Sequence, residues 1–165
     1  MSSRETRKKS KIDRNSIVKI DLAIECEDGF VGMIRDLKHE PTNIPFPLSD
    51  NSVTLMSAAN TIHRINPLEK GFIKWMDEVW RVLKVGGQMR LVTPYGVNTA
   101  FLSDPCAVNP CTPQTFYFFD PLNPIGLYKK YKPKPWKVEE VYWKPDGLME
   151  VLLSKRAQDI SYGKN

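Results

Sequence analysis

The apolar positions of this chain change period along its length, and each change marks an element. SIVKIDLA at residues 16–23 places Ile17, Val18, Ile20 and Leu22 in one β-branched run, which predicts a buried strand over 17–23. GFVGMI at 29–34 predicts a second, short strand, and EPTNIPFPLSDNS at 40–52, with three prolines, a loop. SVTLMSAAN at 52–60 predicts a third strand that ends on small residues. The period then lengthens. In GFIKWMDEVWRVLK at 71–84, Phe72, Met76, Val79, Trp80 and Leu83 recur at helical spacing. That predicts a helix with those five positions buried. Lys74, Asp77, Glu78 and Arg81 then face solvent, with Lys74 opposite Glu78 and Asp77 opposite Arg81 one turn on. Gly86 and Gly87 predict the end of the helix. QMRLVTPY follows as a strand halted by Pro94. Finally, WKVEEVYWKPDGLMEVLLSKR at 136–156 holds two β-rich runs, 137–143 and 148–155, around the turn signal Asp146-Gly147.

Strand, helix and strand in succession predict parallel pairing through a right-handed crossover. The expected fold is therefore an α/β sheet with 17–23, 52–58 and 88–94 parallel and an antiparallel hairpin at its C-terminal end. A length of 165 residues suits one such domain. We expect it to span 17–156, between a basic tail at 1–16 and a short tail at 157–165. No apolar run approaches the roughly 18 residues of a membrane span, and no secretory signal opens the chain. The expectation is a cytoplasmic protein, in the host cytoplasm were its gene carried by a phage. Cys26, Cys106 and Cys111 form no CxxC pair, which argues against a disulfide framework and a structural metal site.

Charge adds candidate partners. Of the net +5, the segment 1–16 carries +4, from Arg4, Arg7, Lys8, Lys9, Lys11 and Arg14 against Glu5 and Asp13. Such a tail attracts phosphates without base specificity, or serves as a solubilising end. YKKYKPKPWK at 128–137, including Lys129–Lys137, interleaves five lysines with two tyrosines and a tryptophan. This composition suits single-stranded nucleic acid and equally a proline-rich connector with solvated lysines.

In order and motif, the chain resembles the Rossmann-like S-adenosylmethionine-dependent methyltransferases, most closely their small phage and bacterial type. The segments carrying the resemblance are IPFPLSDNSVTLMSAANTIHRINP, GFIKWMDEVWRVLKVGGQMRLVTPY and DPCAVNPCTPQTFYFFDP. It covers about Ile17 to Arg156 and implies a mostly parallel sheet with a C-terminal antiparallel hairpin, abbreviated around the second and third strands. The family's first strand ends in an acidic residue and a glycine-rich turn, because only glycine lets backbone lie against the cofactor. The equivalent here is Asp21, Leu22, Ala23, Ile24, Glu25 and Cys26, without glycine. Met33 and Ile34 stand where the family has a ribose-binding acid, with Asp36 two residues on, and Glu40 falls near the position that faces the adenine amino group.

The resemblance thus implies a cofactor site of Asp21, Ala23, Asp36, Glu40 and Asn60, with S-adenosylmethionine binding weakened or lost. It implies an acceptor side bordered by His63, Tyr95 and Asp104, where His63 is the candidate base. Two functions stay open at this point. One is a methyltransferase of unspecified acceptor. The other is an inactive methyltransferase fold kept as a binding module, with nucleic acid a candidate partner of either.

Overall fold

The computed structural model describes residues 21–126 and 130–157. The tail at 1–16, the first four positions of the expected first strand, Lys129 and the end beyond Ala157 lie outside the described residues. Six strands form one mixed sheet: β1 (Asp21–Cys26), β2 (Val31–Met33), β3 (Val53–Ala59), β4 (Leu83–Pro94), β5 (Trp136–Trp143) and β6 (Leu148–Lys155), in the order β2-β1-β3-β4-β6-β5. The helices are α1 (Gly71–Val82) and the short α2 (Thr99–Leu102) and α3 (Pro113–Tyr117).

Among the described residues, β3 and β4 make the one parallel pair, with Met56 opposite Met89 and Ala59 opposite Val92. Their connection contains α1, as a right-handed crossover requires. The expected parallel pairing of the first strand is corrected. β1 runs antiparallel to β3, with Asp21 opposite Ala59 and Cys26 opposite Val53. The cause lies in the segment between them. Residues 27–30 turn the chain straight back into β2, which pairs antiparallel with β1. No crossover helix intervenes before β3. The Glu27 N–H then donates to the Ser52 carbonyl at 3.0 Å, clasping the end of β1 to the start of β3. The C-terminal hairpin forms as expected, with β5 and β6 antiparallel and Asp146 and Gly147 both at positive φ in its turn. β6 also pairs antiparallel with β4, from Gln88–Ser154 to Pro94–Leu148.

Helix α1 lies against this sheet and supplies Trp75, Met76, Val79, Trp80 and Val82 to the core, beside Leu22, Met56, Met89, Leu91, Val151 and Leu153. Two parts of the expected helix pattern are corrected. Phe72 is only half-buried, Trp75 is fully buried, and of the four charged positions only Lys74 is exposed. Loops pack over the others. Glu78 accepts the Phe46 N–H at 2.7 Å, Arg81 donates to the Leu48 and Phe46 carbonyls, and Asp77 accepts the Lys134 N–H. Arg81 pairs with Glu78, and Lys74 with Glu69 rather than Glu78. The second correction concerns Gly86 and Gly87. The helix ends at Val82, and both glycines lie inside β4, at the register shift where it pairs with Val53 and Leu55 of β3. Gly86 takes φ +75°, a bulge conformation that favours glycine.

No described helix is long and apolar enough to cross a membrane. Of the cysteines, Cys26 is half-buried, Cys106 exposed and Cys111 buried, and burial pushes the Cys111 thiol up to about 12.

Candidate ligand site at the ends of the parallel strands

Parallel strands leave a crevice beyond their carboxyl ends, where the chain departs in different directions. Here β3 ends at Ala59, and Asn60 takes a left-handed conformation (φ 54°) while its N–H still donates to the Val92 carbonyl of β4. This kink turns the chain into the short helical turn Ile62–Arg64. A loop arriving from α2 straps that turn in place. The Val108 and Asn109 N–H groups both donate to the His63 carbonyl, and Asn109 Nδ2 donates to the Ile62 and Ile65 carbonyls.

The strap brings Asp104 against two basic side chains. Its Oδ2 accepts from Arg64 Nε at 2.8 Å and Nη2 at 2.7 Å, and lies 3.3 Å from His63 Nε2. The Cys106 N–H, donating to Oδ1, is the largest influence that holds the Asp104 carboxyl below its usual range, with Arg64 and His63 adding to it. Burial is the main cause that lowers the His63 pKa, helped by the Arg64 charge and opposed by Asp104. An ionised carboxylate only accepts, so a neutral His63 carries its proton on Nε2 and donates it to Asp104. The Nδ1 lone pair is then the free acceptor. That atom is buried and without a partner, on a residue only 1% exposed. His63 is thus tied to Asp104 with its remaining lone pair buried.

A cavity of about 450 Å³ opens here, lined by Asn60, His63, Arg64, Pro94, Asp104 and Asp146 among others. The structure thus brings together three of the sequence-predicted residues: Asn60, His63 and Asp104. Tyr95 stands beside them, its ring edge-on to Trp143 at 4.8 Å and its backbone bridged to Cys111. Of the other four, Ala23, Asp36 and Glu40 do not line the cavity. Asp21 opens β1 opposite Ala59, one residue before Asn60, and Ala23 lies mid-strand between Met33 and Ser57. Asp36 follows β2, where its Oδ2 accepts the Met33 N–H at 2.7 Å and closes the local turn. Glu40 is exposed in the loop before Pro41. Arg64 and Asp146 were missed as site residues. Arg64 adjoins His63 in the quoted motif, but nothing in its spacing announced Asp104 as partner, and Asp146 read as turn chemistry alone.

The residues do not fit an S-adenosylmethionine cradle. The glycines at this end of the sheet are backed by the chain itself. A Cβ on Gly96 would come within 2.8 Å of Pro110 and one on Gly147 within 2.0 Å of Asn98. Gly29 and Gly86, which have open space beside them, lie at the opposite end, near Cys26 and Leu83.

No family model matches this chain, and no curated protein does. Solved structures give partial likenesses. A protein described as a type 11 methyltransferase from Sulfolobus solfataricus is 19% identical with a TM-score of 0.40, over 76% of this chain and 59% of that one. A SAM-dependent methyltransferase from Aquifex aeolicus is 17% identical with a TM-score of 0.43, over 70% and 51%. The YcgJ protein from Bacillus subtilis is 15% identical with a TM-score of 0.45, over 72% and 70%. This chain spans less than two thirds of the first two. None of these likenesses is close enough to assign a family.

Proposed function

We propose that this chain is a binding module on a methyltransferase-like sheet, using the crevice of Asn60, His63, Arg64, Asp104 and Asp146 to hold a polar ligand or partner group. The observation that carries this reading is the direction of β1. A strand that enters the sheet antiparallel to β3 begins, rather than ends, beside Asn60. It therefore delivers no strand-to-helix turn to the place where an open α/β sheet receives a cofactor. In the crevice, the Arg64–Asp104 pair is already neutral within itself, so Asp146 supplies the remaining formal charge. An uncharged or cationic polar group suits that balance better than an anion does.

The second reading is an S-adenosylmethionine-dependent methyltransferase of unspecified acceptor, with His63, Tyr95 and Asp104 on the acceptor side. It is favoured by the β3-α1-β4 unit, which puts a crevice carrying charged side chains where ligands of open α/β sheets bind. Under either reading the basic segment at 1–16 offers phosphates of a nucleic acid an electrostatic contact, and a cytoplasmic setting suits both.

One titration separates the two. S-adenosylmethionine is added to the full chain in a calorimeter, with a thermal melt alongside. The binding-module reading expects no saturable heat and no rise in melting temperature at millimolar cofactor. Ligand at a hundred times its dissociation constant would stabilise the native state by about 2.7 kcal/mol, so a saturable heat with a clear upward shift restores the enzyme.

A further inference from the structure

The first turn of α1 and the segment after α3 enclose a second concavity, which shares no residue with the strand-end crevice. Phe72, Ile73, Phe118, Phe119, Tyr131 and Pro133 line it around a volume of about 170 Å³, room for one leucine or phenylalanine side chain. Part of its wall is tied down. Phe72 packs edge-on against Phe119 at 5.8 Å, and the Thr115 hydroxyl oxygen beside it already accepts the Thr112 N–H in a capping box. The rim is basic. The Lys70 ammonium stands 5.3 Å from the centre of the Tyr131 ring and the Lys130 ammonium 6.0 Å from it. Of the neighbouring acids, Glu69 lies 3.5 Å from Lys74, and Asp77 accepts the Lys134 N–H.

We propose that this groove docks an acidic protein segment that inserts a single apolar side chain. An apolar floor stabilises an anchor in proportion to the area it removes from water. The lysines on Tyr131 select carboxylates flanking that anchor and speed its approach. The same geometry disfavours a nucleobase. Its polar edge would enter a pocket whose lining offers almost no polar surface, and burying such groups unpaired is unfavourable. The cation-plus-aromatic composition of 128–137 is thus put to use in recognising protein. This inference does not depend on the proposed function of the strand-end crevice.

The test is fluorescence anisotropy on the full chain, with a labelled peptide carrying one phenylalanine between runs of aspartate and glutamate. We expect saturable binding that weakens about thirtyfold when the peptide's phenylalanine becomes alanine. Lys70→Glu combined with Lys130→Glu, both on the rim and outside the core, should weaken it about tenfold and flatten its salt dependence. Ile73→Trp should weaken it by filling the groove, and the rim variant covers the case in which that one folds poorly. Failure of the peptide to bind would overturn the proposal. So would binding indifferent to both the phenylalanine and the rim lysines. A single-stranded oligothymidylate that binds and displaces the peptide would assign the surface to nucleic acid instead.

Discussion

Asp104 is the side chain on which the strand-end crevice turns, because one carboxylate answers both Arg64 and His63 while accepting the Cys106 N–H. Asp104→Ala leaves a guanidinium and a buried imidazole without their acceptor, and losing hydrogen bonds to charged groups costs about 1.5 to 3 kcal/mol. Chemical denaturation should show a loss of that size, and a negligible change would mean the strap is held by its backbone bonds alone. His63 gives a pH signature. Its folded pKa lies below the ordinary 6.5, so the unfolded chain binds more protons on acidification. The stabilisation is complete above that value and is lost as pH falls through the folded pKa, so His63→Gln should flatten the acid limb of the stability curve. A second titrating group lies at the far end of the sheet. Lys155 is 4% exposed, donates to the Asn51 side chain and the Leu83 carbonyl, and sits 3.9 Å from the Trp80 ring centre. Burial lowers it from 10.5 to about 8, with Asp50 opposing and Lys134 assisting. Stability should therefore rise from pH 8 to 10.5, being fully gained above the upper value and absent below the lower. Denaturation curves of Lys155→Met across that range should lack the rise, and an unchanged slope would assign it to another group.

Helix α1 and strand β4 show how far a periodic pattern carries. The spacing of Met76, Val79 and Trp80 identifies the buried face, since a helix can bury such a stripe in only one orientation. Trp80 also donates from Nε1 to the Pro135 carbonyl. Trp80→Ala should therefore lose about 3 to 5 kcal/mol in denaturant unfolding, and a loss below about 1 kcal/mol would show that the face is wrongly assigned. The polar face was less legible. Glu78, Arg81 and Asp77 read as solvated charges, yet they hold the loop at 46–50 and Lys134, and partners so distant in sequence leave no periodic trace. Gly86-Gly87 misled for a related reason, because a glycine pair marks a helix end and a strand bulge equally well. The bulge predicts a graded outcome. Gly86→Ala meets open space at φ +75° and should cost about 1 to 2 kcal/mol. Gly87→Ala brings a Cβ to 2.7 Å from the Lys84 carbonyl and should cost more, as unfolding of the two variants side by side would reveal.

For the whole molecule, the sequence made the strands, the central helix and the C-terminal hairpin legible, because alternation, helical spacing and Asp146-Gly147 are local signals. Strand direction is not local. Nothing within Asp21–Cys26 tells whether the chain enters the sheet upward or downward; that follows from the immediate return at 27–30 and from the clasp of Glu27 on Ser52. The same gap explains the candidate site. Asn60, His63 and Asp104 meet because they follow the correctly oriented β3 and β4, whereas Asp21 and Ala23 were placed by a parallel first strand that does not exist here, and Asp36 and Glu40 by the resemblance around the second strand and the loop after it. The direction of β1 also decides between a cofactor cradle and a binding crevice, so it is the feature to measure. In nuclear Overhauser spectra of the labelled full chain, antiparallel pairing places Ala23 opposite Ser57 and Glu25 opposite Leu55, and cross-strand contacts should follow both pairs. Contacts that instead join Ala23 to Ser57 and Glu25 to Ala59, rising together along both strands, would mean a parallel first strand and would contradict the account.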